Sequence, residues 1–122
     1  KQWNEYTITV DMKIVPTIHG NSIHGNAGII FNAQRLISRN DSEYMYYGIN
    51  AFEDEALFGF YMNGDWNSIN STMITMDQEN GVILKAIVNG NVGKIYLNDQ
   101  LILNDVYLEY SFGSVGLRSS MT

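Results

Sequence analysis

Residues 82–103 read VILKAIVNGNVGKIYLNDQLIL, three strands in succession joined by two tight turns. In residues 82–88, Lys85 interrupts an apolar run, as in a strand with one covered face. Asn89-Gly90-Asn91 and then Asn98-Asp99 are residue types that tolerate positive φ, which short hairpin loops demand. Residues 93–97 and 100–103 are the returning strands. A three-stranded meander cannot cover its own apolar face, so a second layer of structure must come from elsewhere in the chain.

That layer is readable on either side of the meander. Residues 5–14 alternate, with Tyr6, Ile8, Val10, Met12 and Ile14 on one face and Thr7, Thr9, Asp11 and Lys13 on the other. This is the pattern of a half-buried strand. Pro16 ends the pairing, and TIHGNSIHGN over residues 17–26 has the composition of a loop. A second strand, AGIIFNA at 27–33, places Ile29 and Phe31 in one phase and Ile30 and Asn32 in the other. Residues 34–42 read as a surface loop, with AQRLI compatible with a short helical turn.

Residues 43–66, EYMYYGINAFEDEALFGFYMNGDW, hold two aromatic-rich strands around the acidic run Glu53-Asp54-Glu55. In the first, Met45, Tyr47, Ile49 and Ala51 share one face, while Tyr44, Tyr46, Gly48 and Asn50 share the other. The second covers residues 56–62, and Asn63-Gly64 turns it back so that Trp66 begins a returning strand. A last short strand lies within residues 112–120. No helical periodicity, heptad or long repeat is present. The fold class expected is all-β, a single domain over residues 1–122 built as a two-sheet antiparallel sandwich.

Composition excludes several function classes. The net charge is −6, and the seven Lys and Arg are scattered, which removes the basic patch that nucleic acid or an anionic membrane surface would need. No apolar run reaches the roughly 18 to 20 residues of a membrane span, and the opening KQWNEYT lacks a signal-peptide hydrophobic core. The absence of cysteine removes disulfides, thiol catalysis and Cys-ligated zinc. There is no G-x-S-x-G elbow for nucleophilic hydrolysis and no phosphate-binding glycine loop. His19 and His24 stand five apart in the glycine-rich segment without further ligands in defined geometry, so no metal site is expected there.

The ordered segments W-x-x-Y-T (3–7), A-G-I-I-F (27–31), Y-x-Y-Y-G-I (44–49), N-G-x-W (63–66), V-x-G-N-x-x-x-I-Y-L-N-D (88–99) and G-S-V-G-L-R-S (113–119) span nearly the whole chain. Together they resemble concanavalin A-like jelly-roll domains. Within that group the chain is similar to the laminin G-like and family 66 carbohydrate-binding modules and to 3-keto-disaccharide hydrolase domains. Members of that group usually carry a further strand before the first of these segments and another after the last. The resemblance therefore implies a jelly roll lacking a terminal strand at each end, with exposed or borrowed sheet edges.

The same resemblance implies a small pocket for a terminal sugar beside the strand at 44–50. Sugar recognition needs aromatic faces for the C–H side of a ring and planar polar groups for adjacent hydroxyls. The candidates are Arg35, Asp41, Glu43, Tyr46, Asn50, Glu53 and Trp66. For each aromatic the plain alternative is core or sheet-surface packing, and for each charge a solvated loop position.

The leading expectation is a non-catalytic module that holds an attached glycoside hydrolase on a polysaccharide, with the terminal fructose of a fructan as the ligand the resemblance implies. An extracellular or cell-surface bacterial protein fits that role, with carbohydrate and a catalytic domain of the same polypeptide as partners. Two alternatives stand beside it. Glu53 and Glu55, sharing a strand face, could serve as nucleophile and acid/base of a glycosidase or keto-disaccharide hydrolase, although the E-x-D-x-x-E or E-x-D-x-E pattern of jelly-roll glucanases is absent. A laminin G-like structural or protein-interaction domain would need no sugar site. No cofactor or catalytic residue is assigned. A structural calcium is compatible with the acidic residues, but no D-x-D-x-D-G loop marks its place.

Overall fold

A computed structural model describes residues 5–13, 17–19, 22–24, 26–35, 41–50, 53–74 and 81–120. All regular structure among them is β. The strands are β1 (Glu5–Met12), β2 (Thr17–His19), β3 (Ser22–His24), β4 (Asn26–Arg35), β5 (Glu43–Asn50), β6 (Glu55–Met62), β7 (Asp65–Met73), β8 (Val82–Asn89), β9 (Val92–Leu97), β10 (Gln100–Tyr107) and β11 (Ser114–Ser120). The meander enters a four-stranded antiparallel sheet in the order β1-β8-β9-β10. The second layer is a five-stranded antiparallel sheet, β11-β4-β5-β6-β7.

The turns form as their residue types require. Asn63 and Gly64 take φ of 51° and 81°, and Asn98 and Asp99 take 48° and 65°. Both pairs satisfy the double positive φ of a two-residue hairpin loop. Asn98 also binds β8 from both its groups, its amide donating to the Ile83 carbonyl at 2.9 Å and its Oδ1 accepting from the Ile83 amide at 2.8 Å.

The core lies between the sheets. Ile29, Phe31, Met45, Tyr47, Ile49, Ala56 and Phe58 from the larger sheet meet Val82, Leu84, Ala86, Val88 and Ile95 from the smaller one. β1 lays Tyr6, Ile8, Val10 and Met12 against this cluster, as its alternation predicts. Each fully buried aliphatic or aromatic side chain here contributes about 1.5–3 kcal/mol through loss of apolar surface to water. The buried Tyr47 hydroxyl donates to the Tyr96 carbonyl at 3.0 Å, which fastens β5 to β9 and avoids the cost of an unbonded polar group. Burial pushes its phenol pKa upward.

Three sequence expectations change. The segment read as a loop at 17–26 contains a small hairpin, with Thr17 opposite His24 and His19 opposite Ser22. Its glycines and asparagines punctuate strands of three residues, too short for periodicity to register. β4 continues through Gln34 and Arg35 where a loop or helical turn is read, and residues 36–40 lie outside the described part.

Asn32 breaks the expected alternation of β4. It takes φ of 48° at a bulge, is fully buried, and binds across the sandwich. Its Oδ1 accepts from the Tyr6 hydroxyl at 2.6 Å and its Nδ2 donates to the Tyr110 carbonyl at 2.7 Å. A bulge inserts one residue and re-aims the side chains that follow it.

Candidate functional site

The outer face of the five-stranded sheet carries a second, smaller apolar cluster of Ala33, Tyr44 and Tyr46, with Ile30, Tyr61 and Trp66 packed on it. Strand register builds it. Tyr44 lies opposite Tyr61, which lies opposite Trp66, while Tyr46 lies opposite Gly59. The rings form a continuous wall: Tyr44 to Tyr61 at 5.0 Å between centroids, Tyr61 to Trp66 at 5.2 Å, and Tyr46 edge-on to Trp66 at 6.0 Å. Such offset and edge-on contacts suit the ring quadrupoles.

Glycine makes the floor. A Cβ at Gly48 would stand 2.2 Å from the Tyr46 hydroxyl oxygen, and one at Gly59 would stand 2.8 Å from the Trp66 ring. The two aromatic rings therefore lie down over positions without side chains. One row along, Gly48 pairs with Gly28, and Gly28 pairs with Arg118 on β11. The Tyr46 ring covers this bare row, coming within 3 Å of a Cβ at either glycine.

The guanidinium lies beside that ring. Arg118 Nη1 donates to the Tyr44 hydroxyl at 2.9 Å, and its Cζ stands 5.3 Å from the Tyr46 ring centroid and 5.2 Å from that of Tyr61. Burial works to lower its pKa, but a hydrogen bond with Tyr61 and the surrounding phenols outweigh it and hold the group above the usual arginine value. Burial in turn pushes the Tyr46 phenol up to about 12, with Arg118 opposing the shift. At neutral pH the site holds a fixed cation among neutral phenols.

These groups enclose a shallow depression of about 190 Å³ lined by Asn26, Tyr46, Ile49, Leu57, Tyr61, Trp66 and Arg118. A drug-sized ligand pocket is usually larger, roughly 300–1,000 Å³, so this one suits a single small ring. A larger hollow on the smaller sheet runs along Ile87, Asn89, Val92, Gly93, Lys94 and Asp105. Its cation is already engaged, because Lys94 pairs with Asp105 at 2.8 Å and binds Asn104.

Of the seven residues singled out from sequence, Tyr46 and Trp66 line the depression. Asn50 lies on the same face one row further on, opposite Asn26 and Glu55. Glu53 is exposed in the turn after β5, and its carboxyl is raised by a hydrogen bond with Glu55 and by that group's charge. Glu55 begins β6 and accepts from the Ser71 hydroxyl at 2.6 Å. Glu43 falls in the opposite phase of β5, where its charge raises the Tyr110 phenol after burial does. Seven residues of strand separate it from Asn50, about 23 Å. Asp41 is exposed in the turn preceding β5. Arg35 ends β4 opposite Glu43, and its side chain lies outside the described part.

Arg118, Tyr61 and Asn26 line the depression and were not among the sequence candidates. The signal for Arg118 was its place in G-S-V-G-L-R-S, but only the pairing of β11 with β4 carries it to the tyrosines. Among the described residues no group of three or more His, Asp or Glu is placed to hold a metal ion.

Comparison with known proteins reveals the same architecture elsewhere. The sequence matches no protein-family model, and no curated protein matches it. Among solved structures, a family 66 carbohydrate-binding module from Bacillus subtilis superposes with a TM-score of 0.80 at 21% identity, covering 99% of this chain and 70% of that one. Sheep galectin-11, solved in complex with glycerol, superposes at 0.54 with 10% identity, covering 97% of this chain and 92% of its own. A variant of human galectin-16 superposes at 0.51 with 12% identity, covering 95% and 96%. At these identities the likeness establishes the fold, a two-sheet antiparallel jelly-roll sandwich.

Proposed function

We propose that the outer face of the five-stranded sheet binds carbohydrate, without catalysis, at the depression between Arg118 and the aromatic wall. The observation that carries this reading is the joining of three aromatic rings and a guanidinium around one depression, at the size of one sugar ring. A ring's C–H face packs on Tyr61 and Trp66, while Arg118 and Asn26 hydrogen-bond its oxygens. The likeness to a solved carbohydrate-binding module supports the same reading.

The glycosidase alternative gains nothing from the acidic run. Retaining enzymes hold two carboxyls about 5 Å apart across a sugar ring. Here Glu53 is exposed in the turn before β6, beside Glu55, whose carboxylate accepts from Ser71, and neither acid lines the depression.

The remaining parts of the proposal concern the setting. A module appended to a glycoside hydrolase and displayed outside a bacterial cell would hold that enzyme near polysaccharide by raising local concentration. A fructan is the ligand implied by likeness, and the side chains of the depression do not themselves single out a neutral ketose.

The test is affinity electrophoresis and calorimetry against a panel of neutral and acidic polysaccharides, with circular dichroism to monitor folding. Trp66→Ala is expected to lose about tenfold or more in affinity for whichever glycan binds, as a stacking anchor should, with the fold kept. Binding unchanged in Trp66→Ala and Tyr46→Ala would remove this site, and binding to no glycan would remove the function.

A further inference from the structure

We infer that the sugar taken by this depression carries a carboxylate: a uronic acid unit whose carboxylate pairs with Arg118. The inference rests on the carbohydrate reading and specifies its ligand class.

Arg118 is a cation without a carboxylate partner among the described residues. It is half-buried, its Nη1 donates to the Tyr44 hydroxyl, and its guanidinium stands near the rings of Tyr46 and Tyr61. Among the described residues an ion pair joins Lys94 to Asp105 on the other sheet, and no carboxylate pairs with Arg118. Removing a charge from water is unfavourable unless a counter-charge or strong hydrogen bonds replace the solvent. Two π faces and two phenols offset part of that cost, and they leave the guanidinium's positive charge uncancelled at the rim of an open depression.

The polar groups facing the depression are mainly hydrogen-bond donors. A guanidinium presents five N–H groups in a planar fork, and the hydroxyls of Tyr46 and Tyr61 can donate as well. The nearest acidic pair is directed elsewhere. Glu55 accepts from the Ser71 hydroxyl, and neither Glu53 nor Glu55 lines the depression. A planar fork matches a planar carboxylate in bidentate fashion, whereas isolated hydroxyls use one donor at a time.

Size and charge narrow the ligand further. A depression of about 190 Å³ beside the guanidinium holds the carboxylate on the same ring that packs against Trp66, and not on a distant unit. The chain as a whole carries −6, so its long-range field disfavours a polyanion. Selectivity for an acidic sugar would therefore come from this local pair and would be clearest with short oligosaccharides.

The experiment is calorimetry on the intact chain with four short ligands: a uronic acid oligosaccharide, the same oligosaccharide with its carboxyls reduced to alcohols, a sulfated neutral oligosaccharide and a fructan oligosaccharide. The uronic acid ligand is expected to bind at least about tenfold tighter than its reduced counterpart, the scale of one charge-assisted hydrogen-bond pair. Arg118→Gln should abolish that preference, and Arg118→Lys should keep part of it. Should Arg118→Gln fail to fold, the comparison of ligands on the unaltered chain and on Arg118→Lys still decides the matter. Equal or tighter binding of the reduced or fructan ligand, lost in Trp66→Ala, overturns this inference and leaves the carbohydrate reading standing. A preference for the sulfated ligand overturns the carboxylate assignment in the same way. Failure of all four, together with the wider panel of polysaccharides, removes both.

Discussion

Asn32 and Gly48 show how much one residue can hold in this fold. Asn32 joins β4 to Tyr6 on the opposite sheet and to the Tyr110 carbonyl, all from a buried position at positive φ. Asn32→Ala removes both bonds, strands buried polar groups and leaves a Cβ-bearing residue without the side chain that favours this conformation. A loss of about 2–4 kcal/mol is expected in urea denaturation, from unmet hydrogen bonds of about 1–3 kcal/mol each. Asn32→Gly relieves the backbone but not the bonds, so a comparable loss there would identify the bonds as the larger part. A stability change below about 0.5 kcal/mol in Asn32→Ala would contradict the account. Gly48 acts on the site instead. In Gly48→Ala the new methyl overlaps the buried Tyr46 ring and must displace it, so glycan affinity should fall about tenfold and stability by about 1–3 kcal/mol. Unchanged affinity would show that the Tyr46 ring position is immaterial to binding.

At the scale of elements, the β9–β10 hairpin is the point where sequence and geometry agree least comfortably. Asn98-Asp99 supplies two positive-φ residues, and Asp99 at 65° has no Cβ-free backbone to ease it. Asp99→Gly creates the Asn-Gly pair that this turn type favours, and keeps Asn98 with its bonds to Ile83. A gain of about 0.5 kcal/mol is expected, the relief of left-handed strain less the added chain entropy of glycine. A lower denaturation midpoint would show that the aspartate contributes something the geometry does not reveal. The same hairpins explain why so much of the fold was legible in the sequence. Turn residues and period-two alternation are local, so β1, β5, β6, β8 and β9 could be read to within about two residues. The β2–β3 hairpin, the end of β4 and residues 104–107 of β10 escaped, because strands of three residues carry no period and register shifts after Phe31 and after Leu103 break the alternation.

For the molecule as a whole, the site is a product of topology more than of any segment. Tyr46 could be picked out by its phase on a strand and Trp66 by the N-G-x-W segment, both local signals, whereas Arg118 reaches them only because β11 pairs with β4. Glu43 illustrates the converse: near in sequence to Tyr46, it lies in the other phase of the same strand. The closed sandwich also sets an alkaline limit on stability. Burial raises Tyr46 to about 12, and it raises Tyr6 to about 12 against an opposing backbone hydrogen bond from Asn32, while an unfolded phenol ionises near 10. Between these values the folded chain binds more protons than the unfolded one, so stability is complete below about pH 10 and declines as pH rises toward 12. Tyr46, 5% exposed, should contribute a slope approaching 1.4 kcal/mol per pH unit in that window. Arg118 keeps its charge across the same range, since its own pKa is raised. Denaturation midpoints measured from pH 8 to above pH 11 should therefore stay level and then fall, and Tyr46→Phe should flatten the descent by removing one ionisation. A midpoint that begins to fall well below pH 9, or a descent as steep in Tyr46→Phe as in the unaltered chain, would mean that this phenol is not held neutral by the wall of rings around it.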